Sequence, residues 1–463
     1  MGLALALVLY LAVTLILVRQ GVPLGHDEAL YATRARELLG GEPVSPWWAA
    51  YRAPGLPFFL TLAWLGEASE PYLRLVVTLF GAALVVFTSL LGRLMVGDRA
   101  ATIAAIGVAL SPVILMSSTQ VWPDIPGAAL GLGAMFFYAR GLSSERPSWW
   151  LVVIVTGLVG LSTIVRFGAP IPITVGLVCL TFWRWPTNRR QLAFISACAV
   201  GVASVVAVVL LTPVISDGAI PINGISDRSS NNPMFGGFQD YWSMRERLYS
   251  VSTAIALAGV LIGVTLLTTV RSFRKRFVWP FIILLSTFVG IATLVHGELR
   301  YLSPVIPWLW ISAGAAWASV ASRIPKIVAW TAGAAAVVAL ALAAPASSDD
   351  AIQLNVGFQT IENAARHLAA AYKGTCGVFT SYAPQVEWYS GCETVVMNRH
   401  NLVLDSDLFP DGPSFLLFVE DGKRQPEGEL FDEYLERTTL EPIEFHPLDP
   451  ARRSVEIWEI RRP

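Results

Sequence analysis

The sequence predicts a polytopic α-helical membrane protein of about eleven spans, with one short re-entrant or interfacial segment and a C-terminal soluble α/β domain. Three observations carry that prediction. Of 463 residues, 54% are hydrophobic and only 14% are charged, far from the balance of a soluble chain. Apolar runs of bilayer-spanning length recur from the first residues to Pro345, separated by more polar loops. After Pro345 short apolar runs between polar segments replace the long ones.

A hydrocarbon core about 30 Å thick takes about 20 helical residues. Runs of that kind lie at 3–18, 72–92, 100–117, 125–140, 149–165, 168–183, 191–212, 251–270, 278–295, 301–321 and 327–345. The first has no basic segment before it and no Ala-x-Ala site, so it reads as a retained span and not a cleaved signal. Pro54 to Leu65 is too short to cross, opens with Pro54-Gly55 and contains Pro57, which predicts a re-entrant or interfacial segment. Neither a solenoid-type repeat nor a low-complexity tract interrupts the spans.

Arginine and lysine are enriched in cytoplasmic loops, and their positions predict the orientation. With the amino terminus inside, the inside loops hold Arg93 and Arg99, then Arg140 and Arg146, then Arg184, Arg189 and Arg190. The later ones hold Arg271, Arg274, Lys275 and Arg276, then Arg323 and Lys326. The same parity puts the first loop (19–71), the Trp122-Pro123-Asp124 turn, Arg166, the loop at 213–250 and the run His296 to Tyr301 outside. Were Pro54 to Leu65 a full span, the basic loops would face outward. Arg19 and the basic residues of the first loop sit on the wrong side of this rule. The expected product is an integral multi-pass protein, in the plasma membrane if the source is prokaryotic, with a cytoplasmic amino terminus and an extracytoplasmic active site and C-terminal domain.

The domain division falls at 1–345 and 346–463. Ala346-Ser347-Ser348-Asp349-Asp350 is a polar joint, and roughly 115 residues follow it, enough for a core of their own. Runs at Gly377–Thr380, Thr394–Met397, Ser414–Val419 and Ser454–Ile460 predict strands, and patterns near Asn355–Tyr372 and Glu429–Arg437 predict helices. An extracytoplasmic location makes Cys376 and Cys392 a candidate disulfide, with free thiols as the alternative. Four cysteines are too few for a disulfide scaffold, and no Cys-x-x-Cys pair or His/Cys cluster suggests structural zinc. A net charge of −1 without a basic block excludes a nucleic-acid partner.

Chemistry concentrates in Gly25-His26-Asp27-Glu28-Ala29-Leu30-Tyr31, just after the first span. Ionisable groups at a membrane edge cost several kcal/mol to bury without partners, which marks them as functional candidates. From Glu28 onward a helical pattern puts Leu30, Tyr31, Ala35 and Leu38 on one face and Thr33, Arg36 and Glu37 on the other. That predicts a helix lying on the membrane surface. Asp27, at its start, reads either as an N-cap or as a general base. Asp124, Arg166 and His296-Gly297-Glu298-Leu299-Arg300-Tyr301 fall on the same side. A carboxylate there can deprotonate a hydroxyl, and arginines near the membrane plane suit bidentate contact with a phosphate. Each also has a structural reading: Asp124 as a helix cap, Arg166 snorkelling to headgroups, and Glu298 with Arg300 as a surface ion pair.

The acidic pair followed by an amphipathic helix, then Tyr51-Arg52-Ala53-Pro54-Gly55-Leu56-Pro57, Leu110-Ser111-Pro112, Asp124, and late Arg300-Tyr301 with Pro304 and Pro307 carry a resemblance. Residues 1–345 resemble the polyprenyl-phosphate-sugar-dependent glycosyltransferases of the C-type fold, in the branch of protein O-mannosyltransferases and lipid A aminoarabinose transferase. His296 to Tyr301 is similar to a His-Lys-Glu-x-Arg-Phe motif of lipid-linked mannosyltransferases, with Gly297 in place of lysine.

The resemblance implies transfer, with inversion, of a hexosyl or pentosyl group from a polyprenyl-phosphate sugar to a hydroxyl of protein, lipid or cell-envelope glycan. Asp27 corresponds to the catalytic base, Glu28 supports it, and Asp124 helps form the site. Arg166 and Arg300 stabilise the departing phosphate, with His296, Glu298 and Tyr301 beside them. No cofactor is required; a divalent ion on Asp27, Glu28, Asp124 and His296 is compatible with the superfamily, some of whose members bind one. A lipid-linked sugar flippase or transporter is the alternative from another class, and a non-catalytic scaffold a third. Transporters place charges near the midplane in repeat-related broken helices, whereas here they sit at span ends and no repeat appears.

Overall fold

The computed structural model describes residues 2–40, 52–66, 69–212, 235–244, 250–294, 297–372, 376–397, 412–419, 439–445 and 455–461. It divides into two compact units. One comprises Met1–Gln20 and Ala49–Asp349; the other combines Gly21–Trp48 with Asp350–Pro463. The helix bearing Asp27 and Glu28 therefore belongs with the C-terminal part of the chain.

The helices in order are α1 (Gly2–Val18), α2 (His26–Glu37), α3 (Gly55–Leu60, continued by a 3₁₀ turn Thr61–Leu65), α4 (Glu70–Met95), α5 (Asp98–Ala109), α6 (Pro112–Ser118), α7 (Asp124–Leu142), α8 (Trp149–Val165), α9 (Pro170–Trp183) and α10 (Arg189–Leu211). After them come α11 (Gly236–Ser243), α12 (Val251–Thr269), α13 (Arg271–Leu294), a 3₁₀ turn Leu299–Leu302, α14 (Ile306–Ala321) and α15 (Lys326–Val356). All but α2 lie in the first unit, which α15 leaves at its C-terminal end.

Each apolar run predicted to span is helical over most of its described residues. Six of these helices are long and apolar enough to cross a membrane, or seven if α5 and α6 form one broken span. Helices α1, α8, α9 and α14 are apolar but have 17 residues or fewer. Helices α4 and α8 flank α7, which is buried over most of its length, and α5 lies along α14. Small residues set that last approach: a Cβ on Gly314 would stand 2.5 Å from the Ala100 carbonyl oxygen, and one on Gly107 would enter the Trp310 ring. Close packing over small side chains is how helices associate where no hydrophobic effect drives them together. The outer faces of α10 and α15 expose Val200, Val208, Trp330 and Leu342, as lipid-facing surfaces do.

Two predicted elements differ in the structure. The run at 100–117 is not one straight helix but is bent by 55° between α5 and α6. Pro112 cannot donate to the preceding turn and disfavours helical backbone at Ser111, which is extended. The apolar stretch of the last span is Lys326–Ala344, as expected, but its helix continues: α15 runs on to Val356 through the polar joint.

In the second unit, α16 (Gln359–Tyr372) and α17 (Ala383–Ser390) accompany five strands: β1 (Gly377–Thr380), β2 (Glu393–Val396), β3 (Ser414–Val419), β4 (Thr439–Ile443) and β5 (Val455–Arg461). The sheet order is β2-β1-β3-β5-β4. Strand β1 pairs in parallel with β2 and β3, whereas β5 pairs antiparallel with β3 and β4. Helix α17 is the crossover between β1 and β2, as parallel neighbours require. It ends at Gly391, whose φ of 71° suits a glycine C-cap. Cys376 and Cys392 are bonded, with Cα atoms 4.8 Å apart, and close the loop that contains β1 and α17. Phe379, Met397, Leu416 and Ile460 form the core beneath the sheet. The helix predicted near Glu429–Arg437 lies outside the described residues.

Candidate active site

In the first unit the site begins with two helix ends. Asp124 opens α7 directly after Pro123 and is 2% exposed. Its carboxylate does not cap the helix; it accepts from Nη1 of Arg166, the residue that terminates α8. Arg166 has left helical geometry for extended backbone while its amide still donates to the Ser162 carbonyl oxygen at 2.9 Å. The Ser162 hydroxyl donates to the Gly127 carbonyl oxygen at 2.8 Å and ties α8 to α7. A Cβ on Gly127 would stand 3.4 Å from Cβ of Arg166, so a larger residue there would crowd the arginine stem.

The guanidinium of Arg166 lies 4.6 Å from the Tyr301 ring centroid. On the other side of the motif Arg300 lies 5.4 Å from the same ring and 4.9 Å from the ring of Trp122. Arg166, Tyr301, Arg300 and Trp122 thus alternate guanidinium and ring, with Asp124 paired to Arg166 at one end. A guanidinium against an aromatic face gains roughly 0.5–2 kcal/mol and keeps its in-plane donors available to an oxyanion. The ion pair expected between Arg300 and Glu298 is present as well, at 2.5 Å.

Helix α11 fixes the backbone of this motif. The Asp240 carboxylate accepts from the Gly297 amide at 2.7 Å, and the Tyr241 hydroxyl donates to the Glu298 carbonyl oxygen at 3.3 Å. Burial pushes the Tyr241 phenol up, with the Arg166 charge opposing that shift, so it stays a neutral donor. A Cβ on Gly297 would stand 2.5 Å from Cβ of Asp240 and 3.0 Å from the Gly237 carbonyl oxygen. The approach of α11 leaves no room for a side chain at position 297. His296 lies outside the described residues.

Below the charged series, a cleft runs between α7, α9 and α14. Asp124, Arg166 and Tyr301 line it together with apolar Gly131, Met135, Ile173, Ile291 and Trp308. An anion-binding end on an apolar channel suits an amphiphile with a phosphate head.

In the second unit, α2 is not a half-exposed surface helix. Residues 28–33 and Ala35 are buried, Thr33 of the expected polar face among them, whereas Leu38 of the expected apolar face is exposed. Helix α17 packs against it. Arg36 donates to the Glu387 carbonyl oxygen at 3.3 Å and lies 5.5 Å from the Trp388 ring centroid. The N-cap is Gly25, and Glu28 is the capping carboxylate, accepting from the Gly25 amide at 2.7 Å. Asp27, in the first turn, is only half-buried.

Across solved structures the chain is similar to ArnT from Cupriavidus metallidurans bound to undecaprenyl phosphate, with a TM-score of 0.68 at 15% identity over 99% of this chain and 97% of that one. The chain has the fold of the C-type glycosyltransferases. The same C-type fold relates it to the Archaeoglobus fulgidus oligosaccharyltransferase in complex with zinc and sulfate, with a TM-score of 0.56 and 13% identity over 90% of this chain and 67% of that one. It also relates it to the archaeal oligosaccharyltransferase AglB, from the same organism, with an inhibitory peptide and a dolichol phosphate (TM-score 0.54, 13% identity, 90% and 68% covered). Residues 51–215 match the family model of dolichyl-phosphate-mannose-protein mannosyltransferases. No protein of curated function matches the sequence.

Of the expected metal donors, His296 lies outside the described residues. Among the described residues no three His, Cys, Asp or Glu side chains stand together as metal ligands. Glu28 is engaged by the Gly25 amide and Asp124 by Arg166, so a cation would have to displace existing partners. Trp122, Asp240 and Tyr241 join the site without having been singled out for it by sequence. Trp122 stood in the turn before Asp124; Asp240 and Tyr241 occupy a loop whose pattern signals nothing.

Proposed function

We propose that this protein is a glycosyltransferase that moves a sugar from a polyprenyl phosphate to an acceptor hydroxyl on the extracytoplasmic side of the membrane, with inversion. The observation that carries the reading is Arg166, paired with Asp124 and set against Tyr301 at the polar end of an apolar cleft. It is supported by the shared fold with a protein solved with undecaprenyl phosphate and by the family match over 51–215.

In this mechanism Asp27 takes the proton of the acceptor hydroxyl as its oxygen attacks the anomeric carbon from the face opposite the phosphate. The bond from that carbon to the phosphate oxygen breaks, its electron pair stays on the phosphate, and Arg166 and Arg300 stabilise the added charge. Asp124 orients Arg166, and Glu298 orients Arg300. Glu28 supports Asp27 by fixing the start of α2. Eleven crossings put the amino terminus inside, and the loop at 213–250 and residues 346–463 outside. The acceptor is a hydroxyl of protein, lipid or envelope glycan.

The test is incubation of purified protein with a panel of polyprenyl-phosphate sugars, following release of the free polyprenyl phosphate. One sugar should be consumed by the wild-type protein, and much more slowly by Arg166→Ala and Arg300→Ala. Consumption of none, together with movement of a lipid-linked sugar across vesicles containing the protein, would establish a flippase instead.

A further inference from the structure

Helix α2 rests on a residue far along the chain. The amide of Leu24, one residue before the N-cap, donates to the Tyr389 hydroxyl at 2.8 Å across a separation of 365 residues. Leu24 is fully buried and Tyr389 nearly so, so the bond is sheltered from competing water. At the other end of α2, Arg36 is held by the Glu387 carbonyl oxygen and the Trp388 ring. Three consecutive residues of α17 therefore grip both ends of the helix that carries Asp27. Tyr389 is itself braced, because the Arg366 guanidinium of α16 lies 4.9 Å from its ring centroid. Within α2, the bond from the Gly25 amide to Glu28 relays the position of Leu24 into the first turn.

We infer that α17 is a positioning element for the acidic helix, with Tyr389 setting the backbone just before Asp27 and Trp388 holding Arg36. The inference rests on the reading of Asp27 as the base. A carboxylate that collects a proton during attack must be held to a fraction of an ångström, and a shift of about 1 Å costs roughly 100-fold in rate. Asp27 lies in the first turn of α2, and α17 anchors the backbone on both sides of that turn. The C-terminal domain then acts as part of the catalytic apparatus, through contacts that touch no substrate.

The experiment uses the full-length protein in detergent. It compares wild type, Tyr389→Phe, Arg36→Ala, Arg36→Lys and Asp27→Asn by hydrogen exchange, undecaprenyl phosphate affinity, and kcat with the sugar consumed in the panel above. Tyr389→Phe keeps the ring and removes the acceptor oxygen. The Leu24 amide should exchange at least about fivefold faster, kcat should fall about fivefold or more, and undecaprenyl phosphate affinity should not change. Arg36→Ala should act likewise, and Arg36→Lys should recover part of kcat. Unchanged exchange at residues 24–37 in both Tyr389→Phe and Arg36→Ala overturns the proposal, as does faster exchange with wild-type kcat. Asp27→Asn separates the two readings. If it retains turnover, the base assignment fails, and with it the catalytic sense of the positioning. If it loses turnover while Tyr389→Phe and Arg36→Ala behave as wild type, the positioning alone fails.

Discussion

The adjacent carboxylates at 27 and 28 sit in different surroundings, and the proposed mechanism gives them different duties. Glu28 is fully buried and accepts from the Gly25 amide, whereas Asp27 is half-exposed in the first turn. Asp27→Asn should lower release of polyprenyl phosphate by about 100-fold or more with folded yield intact. Glu28→Gln should retain most of that rate and lower thermal stability by about 1 kcal/mol, the worth of a capping interaction. A second buried carboxylate, Glu387, titrates unusually. Burial pushes it up to about 7, opposed by the Thr394 hydroxyl bond and the Arg36 charge. A folded value above the unfolded one means the native state binds the proton more tightly. Its contribution to stability is therefore complete below about pH 4.5 and is lost as pH rises through about 7, on the order of 3 kcal/mol at most. Hydrogen exchange of α17 and β2 should accelerate over that window in the wild type, and Glu387→Gln should flatten the dependence.

Among the elements, α11 and the turn at 297–301 depend on a missing side chain. Gly297→Ala would put a methyl group 2.5 Å from Cβ of Asp240, so α11 or the turn has to shift. Arg300 and Tyr301 move with that turn. Undecaprenyl phosphate affinity should fall about tenfold, a cost of about 1.4 kcal/mol, and Gly297→Lys should be at least as damaging despite matching the related motif. Titration of both variants against wild type checks this. Element boundaries were legible where sequence and context agreed. Strands β1 and β3 occupy the predicted runs, because Gly-Val-Phe-Thr and Ser-Phe-Leu-Leu-Phe-Val are short, apolar and rich in strand formers. Strand β4 was not legible. It carries Glu441 and Pro442, and proline suits the sheet edge where β4 lies. Helix α17 was missed because eight residues with a proline in the first turn show too little periodicity.

At the scale of the whole molecule, the bridge between Cys376 and Cys392 encloses α17 within a short loop. Closing such a loop stabilises by roughly 3 kcal/mol. Peptide mapping without reductant should recover the two cysteines linked, and reduction should accelerate exchange in α17 and, through it, in α2. Recovery of both as free thiols from native membranes would contradict the proposed extracytoplasmic placement of this domain. Protease added to right-side-out vesicles tests the same placement independently. It should cut within 213–250 and spare the basic loops at 140–146, 184–190 and 271–276.

The order of apolar runs in the sequence determined a polytopic helical protein with a small α/β domain after it, because burial of backbone polar groups in lipid leaves helices as the economical solution. It also marked Asp27, Asp124, Arg166 and Arg300, since charges at span ends are too costly to be incidental. Only the tertiary structure decided what those charges meet. Asp124 takes Arg166 because α7 begins beside the end of α8; Arg166 and Arg300 share Tyr301; and α2 joins residues more than 300 positions downstream. Hydropathy is a local property that repeats along the chain, whereas these contacts join segments with no periodic relation to one another. Their partners become visible only once the chain has folded.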